Sequence, residues 1–184
     1  MMSQARIESL HAIETACWLA LAEATRDREH PWRVMTLATV DGDRADARSV
    51  VLRDADAERR RLVFYADARS PKIAQIGASP RGVLVGWWPR PGWQLRLRVS
   101  LAVETTGLEV SSRWARVKLS PSARDYLAAL PPGTPVDRYQ PERGSRAHFA
   151  VVTATVEEMD WLELHAEGHR RARLAGAAST WLTP

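Results

Sequence analysis

The residues best suited to chemistry in this chain are those that hold anions. Arg48-Ser-Val-Val-Leu-Arg53 sets two arginines at the ends of an apolar run, and Ser70-Pro71-Lys72 opens a helix with one of only two lysines, the other being Lys118. Arginine forks match phosphate oxygens bidentately. A helix start offers unpaired backbone N–H groups and the positive end of the dipole, to which Lys72 adds a charge and Ser70 a hydroxyl. Taken together, these groups suit a phosphate attached to something flat and apolar. Taken alone, Ser70–Lys72 is an ordinary capped helix with a solvated lysine. Positions 48 and 53 differ by an odd number, so an unbroken strand points them to opposite faces; either a bulge intervenes or they touch different parts of a ligand. The apolar Val50, Val51 and Leu52 between them predict a strand buried on both sides.

Other basic groups are less specific. Gln94, Arg96 and Arg98 alternate along one strand face, which is either a solvent face or a polar face at a dimer seam. The tail carries His165 and His169-Arg170-Arg171-Ala172-Arg173. As a strand it projects Arg171 and Arg173 to one face and Arg170 to the other. Two histidines four apart suit a metal only on a helix, and Gly168 breaks such a helix, so no metal site is expected. Trp87, Trp88 and Trp93 flank a turn and could wall a flat ring. There is no nucleophile elbow, Walker loop or dinucleotide glycine fingerprint, and no obvious general base.

Composition narrows the class. The 184 residues, 45% hydrophobic, suffice for one domain spanning 1–184 with a helical arm at 1–30. The single cysteine, Cys17, excludes an internal disulfide and a cysteine-based zinc site. Neither a membrane-length apolar run nor a signal-peptide pattern is present, so a cytoplasmic protein without membrane partners is expected. The net charge of +4 and a pI near 9.8 suggest an anionic partner. Because the arginines interleave with strand residues, phosphate pockets are favoured over a nucleic-acid stripe.

The elements that must position these residues follow from periodicity. Ile7, Leu10, Ile13, Cys17 and Leu21 fall at helical spacing within 3–29, ended by His30-Pro31. Strands are expected at 32–40 and 46–53 around an Asp41-Gly42 hairpin, then at 61–66, with 54–60 as a loop. Ser70 is the N-cap and Pro71 the first position of a helix to Ala78. Strands follow at 81–88 and 93–106, a helical region over 108–130 broken at Ser120-Pro121, and a proline- and glycine-rich mobile loop over 131–146. Short strands at 149–156, 161–165, 170–174 and 180–182 complete about eight, favouring an antiparallel barrel. A small barrel with one helical arm leaves apolar surface over, which suggests a homodimer.

Several segments in this order resemble the pyridoxamine 5'-phosphate oxidase-like flavoproteins, the FMN-binding split-barrel family. They are Leu37-Ala-Thr-Val-Asp41, Ala47-Arg-Ser-Val-Val-Leu-Arg53, Phe64-Tyr-Ala-Asp-Ala-Arg-Ser-Pro-Lys72, Trp93-Gln-Leu-Arg-Leu-Arg98, and Leu162-Glu-Leu164 with His169-Arg-Arg-Ala-Arg173. The resemblance implies an α+β protein built on an antiparallel six-stranded split barrel with an N-terminal helix, homodimeric, with FMN at the interface. It implies that Arg48 meets the FMN phosphate with Ser49 and Val50 beside it, and that Tyr65 and Ala66 line the cofactor. Lys72 and Ser70 join the phosphate site, Gln94 reaches the flavin ring, and Arg173 lies near the flavin. Arg53 and Arg170 are implied at the substrate, Arg53 also at the cofactor. Pro71 stands where the oxidase has an arginine, and Leu130 where an arginine grips the vitamin's phosphate, so a substrate other than pyridoxamine phosphate is expected. The implied function is an FMN-dependent oxidoreductase transferring hydride from a small molecule. The alternatives are a non-catalytic flavin carrier or sensor and, well behind, a nucleic-acid-binding protein.

Overall fold

In the computed structural model, which describes residues 6–138 and 147–184, eight strands form one antiparallel sheet. They are β1 (Val34–Asp41), β2 (Arg44–Asp56), β3 (Arg61–Asp67), β4 (Arg81–Trp88), β5 (Trp93–Glu104), β6 (Phe149–Glu163), β7 (Arg170–Leu174) and β8 (Thr180–Leu182). The order is β3-β2-β1-β4-β5-β6-β7-β8, and β3 also pairs with β6. Six strands therefore close into a ring, which leaves β7 and β8 as an extension from the far half of β6. Closure removes the edges that a flat sheet would expose.

Alternation fixes which residues fill the ring. Met35, Leu37, Leu52, Phe64, Leu84, Leu95, Leu97, Met159 and Trp161 are all buried in one cluster. Helix α1 (Leu10–Ala24) lays Ile13, Cys17, Leu21 and Ala24 on that cluster, capped by Ser9, whose hydroxyl accepts from the Ala12 N–H at 3.0 Å. A smaller cluster of Val63, Val110, Tyr126, Phe149 and Val151 lies under helix α3 (Leu108–Val117) and the 3-10 turn Pro121–Tyr126. Helix α2 (Pro71–Ala78) packs against β1 and β5.

Several expectations are corrected. The first helix stops at Ala24, well before His30-Pro31, because Thr25 caps it: its N–H and hydroxyl both return to the Ala22 carbonyl. Residues 31–33 are a 3-10 turn rather than strand. Asp54–Asp56 continue β2 instead of forming a loop. The two strands expected at 149–156 and 161–165 are one strand, β6. Its register against β5 shifts between the Val99–Val156 and Arg98–Glu158 pairs, so Glu157 is absorbed as a bulge. The run Val50–Leu52 is buried on one face only: Val50 and Leu52 lie inside and Val51 is half-exposed. The helical break at Ser120-Pro121 stands as expected. Of the loop expected at 131–146, residues 139–146 lie outside the described residues, as does the start of the first helix before residue 6. Among the described residues no helix is long and apolar enough to cross a membrane.

Candidate functional site

The β1–β2 hairpin turns at Gly42, whose φ of 62° suits glycine, and this sets Asp41 opposite Arg44. From that register Thr39 faces Asp46 and Leu37 faces Arg48. All four point to the inner face, so Arg48 emerges at the rim of the ring beneath helix α2. There its guanidinium is held on three sides. Nη1 donates to Thr39 Oγ1 at 2.5 Å, and Nη2 donates to Gln75 Oε1 at 2.8 Å and to the Asp46 carboxylate. Gln75 Nε2 donates to Asp46 Oδ2 at 2.9 Å, and Thr39 Oγ1 donates to Gln75 Oε1 at 2.7 Å. The hydrogen bond from Gln75, and after it the charge of Arg48, holds the Asp46 carboxyl below the usual range.

Lys72 lies one turn before Gln75, at the start of α2. Its only hydrogen-bond partner among the described residues is Ser70 Oγ, at 3.1 Å. Burial first, then the nearby Arg48 charge, pushes its ammonium pKa below the ordinary lysine value. A half-buried cation beside a second cation, at a helix N-terminus, without a carboxylate in ion-pair contact among the described residues, has the chemistry that suits an anion. Ser70 has N-cap backbone geometry, yet its hydroxyl makes no capping bond and faces Lys72 instead. The two segments expected to supply the phosphate grip therefore do converge.

The remaining predicted residues fall into separate groups. The β2 register shift falls on Arg53, which puts a bulge at the position where sequence alone left the choice open. The bulge does not bring Arg53 to Arg48. Its guanidinium lies 5.6 Å from the centroid of the Tyr65 ring, and its Nε is buried without a partner among the described residues. Tyr65 is opposite Val151 on the outer face, and Ala66 opposite Ala150 faces inward with Val50. Ser49 is exposed on the outer face. Cross-strand pairing continues from it through Thr36, Val85, Arg96 and Asp160 to Arg173, so one outer row joins two predicted residues. Gln94 is on that same face, between Trp87 and Leu162.

Arg170 is placed elsewhere. It points inward, where Nε and Nη2 donate to the two oxygens of Glu163 at 2.9 and 3.1 Å and Nη1 donates to the Ile7 carbonyl at 2.8 Å. Glu163 also takes Arg6, at 2.5 Å. Arg171 and Arg173 point to the opposite face, as alternation requires. The tryptophan wall is not a ring pocket: Trp88 and Trp93 pack with His30, Trp32 and Trp161, and of the three only Trp87 is exposed. His165 and His169 are turn residues whose Nδ1 atoms accept backbone N–H groups at 3.1 Å, and no metal-binding cluster occurs among the described residues.

Sequence reasoning missed Thr39, Asp46 and Gln75. The signals were present: a two-residue hairpin turn sets 39 opposite 46, Asp46 shares a strand face with Arg48, and Gln75 shares a helix face with Lys72.

Comparison with known proteins gives the same fold. The family described as "Pyridoxamine 5'-phosphate oxidase, FMN-binding domain" matches residues 15–105. A pyridoxine/pyridoxamine 5'-phosphate oxidase of Caulobacter vibrioides is 37% identical over 79 residues, covering 42% of this chain and 35% of the relative. One from Chromohalobacter salexigens is 36% identical over 101 residues, covering 53% and 43%. The match thus spans less than half the length of these relatives. Among solved structures, a pyridoxamine 5'-phosphate oxidase-related, FMN binding protein from Nostoc punctiforme superposes with a TM-score of 0.69 at 23% identity, covering 100% of both chains. PhzG from Burkholderia lata, in complex with tetrahydrophenazine-1-carboxylic acid, gives 0.74 at 20% identity, covering 95% of this chain and 92% of that one.

Proposed function

The chain belongs to the pyridoxamine 5'-phosphate oxidase-like family of FMN-binding split barrels, and from that premise we propose that it binds FMN and acts as an oxidoreductase on a small molecule. The observation that carries this reading is the pairing of Arg48 with Lys72, two cations from separate segments, one of them without a carboxylate partner among the described residues.

In this proposal Arg48, Lys72, Ser70 and the N–H groups opening α2 hold the phosphate. Ser49 and Tyr65, on the outer face, line the body of the cofactor with their side chains, whereas Val50 and Ala66 turn theirs into the core of the ring and would meet it through backbone alone. Gln94 and Arg173, on the outer face, meet it across the seam of a homodimer. Bound FMN supplies the hydride-accepting ring; the protein binds it, orients it and sets the charge around it. Arg53 stands ready for an anionic substrate or for negative charge on the ring. The seam is supported by the outer face itself, where Val34 and Trp87 are 48% and 45% exposed beside Thr36 and Ser49.

The relatives' substrate is not carried over. Leu130 is exposed and supplies no cation, and the neighbouring Arg69 is spent on Asp67 and the carbonyls of residues 128–130. One observation favours the alternative of a non-catalytic carrier or sensor: Arg170, expected at the substrate, turns inward and pairs its charge with the Glu163 carboxylate. Purification decides the class. The protein is expected to be yellow, or to become so on reconstitution, and to release a chromophore with the mass of FMN. A colourless chain that FMN cannot reconstitute would end the proposal. Turnover with a reduced donor separates oxidoreductase from carrier.

A further inference from the structure

We propose that Gln75 is a positioning residue for the phosphate grip, holding the Arg48 guanidinium in register with Lys72; this rests on the FMN-binding reading. Gln75 is 6% exposed, and among the described residues its amide is the only group that touches all three of Thr39, Asp46 and Arg48. It sits on α2, the helix that carries Lys72, while Thr39 and Asp46 are on β1 and β2. The two halves of the grip are thus tied through one side chain.

The chemistry calls for an amide. Oε1 accepts from Thr39 and from Arg48, while Nε2 donates to Asp46. A carboxylate would meet Asp46 with like charge, and an apolar side chain would leave all three partners short. The bracket takes three of the five guanidinium N–H groups, to Thr39, Gln75 and Asp46, and leaves two for an anion. Without Gln75, Arg48 retains Asp46, whose side chain is 45% exposed, as its strongest partner. That pairing draws the guanidinium along its own strand rather than towards Lys72. Gln75 acts on the phosphate only through Arg48, so it should matter for FMN and not for riboflavin.

The test is titration of the full chain with FMN and with riboflavin, followed by flavin fluorescence. Gln75→Leu is expected to weaken FMN binding about tenfold and to leave riboflavin binding within about twofold. In an Arg48→Ala background the same substitution is expected to change the ratio of the two affinities no further. Equal loss for both flavins would show a merely structural role and overturn the proposal, as would unchanged FMN affinity. Thr39→Val, which keeps shape and removes one member of the bracket, serves if Gln75→Leu does not fold. It is expected to give a selective loss for FMN of about threefold, and an unselective or absent loss overturns the proposal equally. A wild-type chain that binds riboflavin no worse than FMN would sink the functional reading itself, and this inference with it.

Discussion

Helix α2 and the β6–β7 hairpin each gather basic side chains, and they treat charge in opposite ways. At the hairpin, the Glu163 carboxylate is 5% exposed and receives Arg6, Arg170 and, at 3.4 Å, the Trp93 indole N–H. There Arg6 and Arg170 share one buried carboxylate of the protein itself, and Arg171 pairs with Asp160. At α2, Arg48 has the Asp46 carboxylate beside it, but Lys72, among the described residues, meets only a hydroxyl. Burying an unpaired ammonium costs free energy that an anion can return. The lesson is that arginine density does not locate a binding site; unspent positive charge does. Arg170 and Lys72 are both basic residues at the start of an element, and their partners separate them: a carboxylate for the first and, among the described residues, a hydroxyl for the second.

Removing Glu163 gives the sharpest contrast. Glu163→Ala leaves two half-buried arginines unpaired and is expected to cost about 3–5 kcal/mol in chemical denaturation, with little change in flavin affinity. A fall in flavin affinity as large as the fall in stability would break the distinction between the two regions. Next come Lys72→Ala and Arg48→Ala, each expected to weaken FMN binding by roughly 1.5–3 kcal/mol in equilibrium titration. Lys72→Ala should not lower the stability of the flavin-free chain, because it removes a desolvated charge. Unchanged affinity in both variants would show the anion site to be misplaced.

A smaller effect is expected beside the hairpin at Gly92. Its φ is +85°, and an added Cβ would lie 2.6 Å from the Leu164 carbonyl oxygen, which is backbone and cannot swing aside. Gly92→Ala should cost about 1–2 kcal/mol by thermal or chemical unfolding, again without selectivity between FMN and riboflavin.

The mildest test is acid. Burial pushes the Glu163 carboxyl up, but the hydrogen bonds from Arg170 and Arg6 outweigh it and hold its pKa below the ordinary glutamate value. A depressed folded-state pKa contributes stability that is present above the unfolded value, about 4.3, and lost as pH falls through the folded one. The unfolding midpoint should therefore decline below about pH 4, and Glu163→Gln should flatten that decline. An equal slope in the variant would remove the hairpin's claim to a structural ion pair.

Local signals in the chain settled much of this. The Asp41-Gly42 turn set the register of β1 on β2, and Ser70-Pro71 set the start of α2. Alternation set Arg170 opposite in face to Arg171 and Arg173. These depend on neighbours a few residues apart, and such patterns are written into the order of residue types. The strand–helix pairing of Arg48 with Lys72 was legible only as an expectation, since 23 intervening positions separate them.

Other features needed the closed ring. The fusion of two expected strands into β6 follows from a strand long enough to serve β3, β5 and β7 together, with Glu157 absorbed in a bulge. The fate of Arg170 was decided by Glu163 across the hairpin and by Ile7 from the far end of the chain. The bracket of Thr39, Asp46 and Gln75 exists only once α2 has settled on β1. Residue types and short spacings determined which side chains carry charge and which way each strand turns them. Tertiary packing alone decided which of those charges are neutralised, because ion pairing depends on distance in space, and distance along the chain does not fix it.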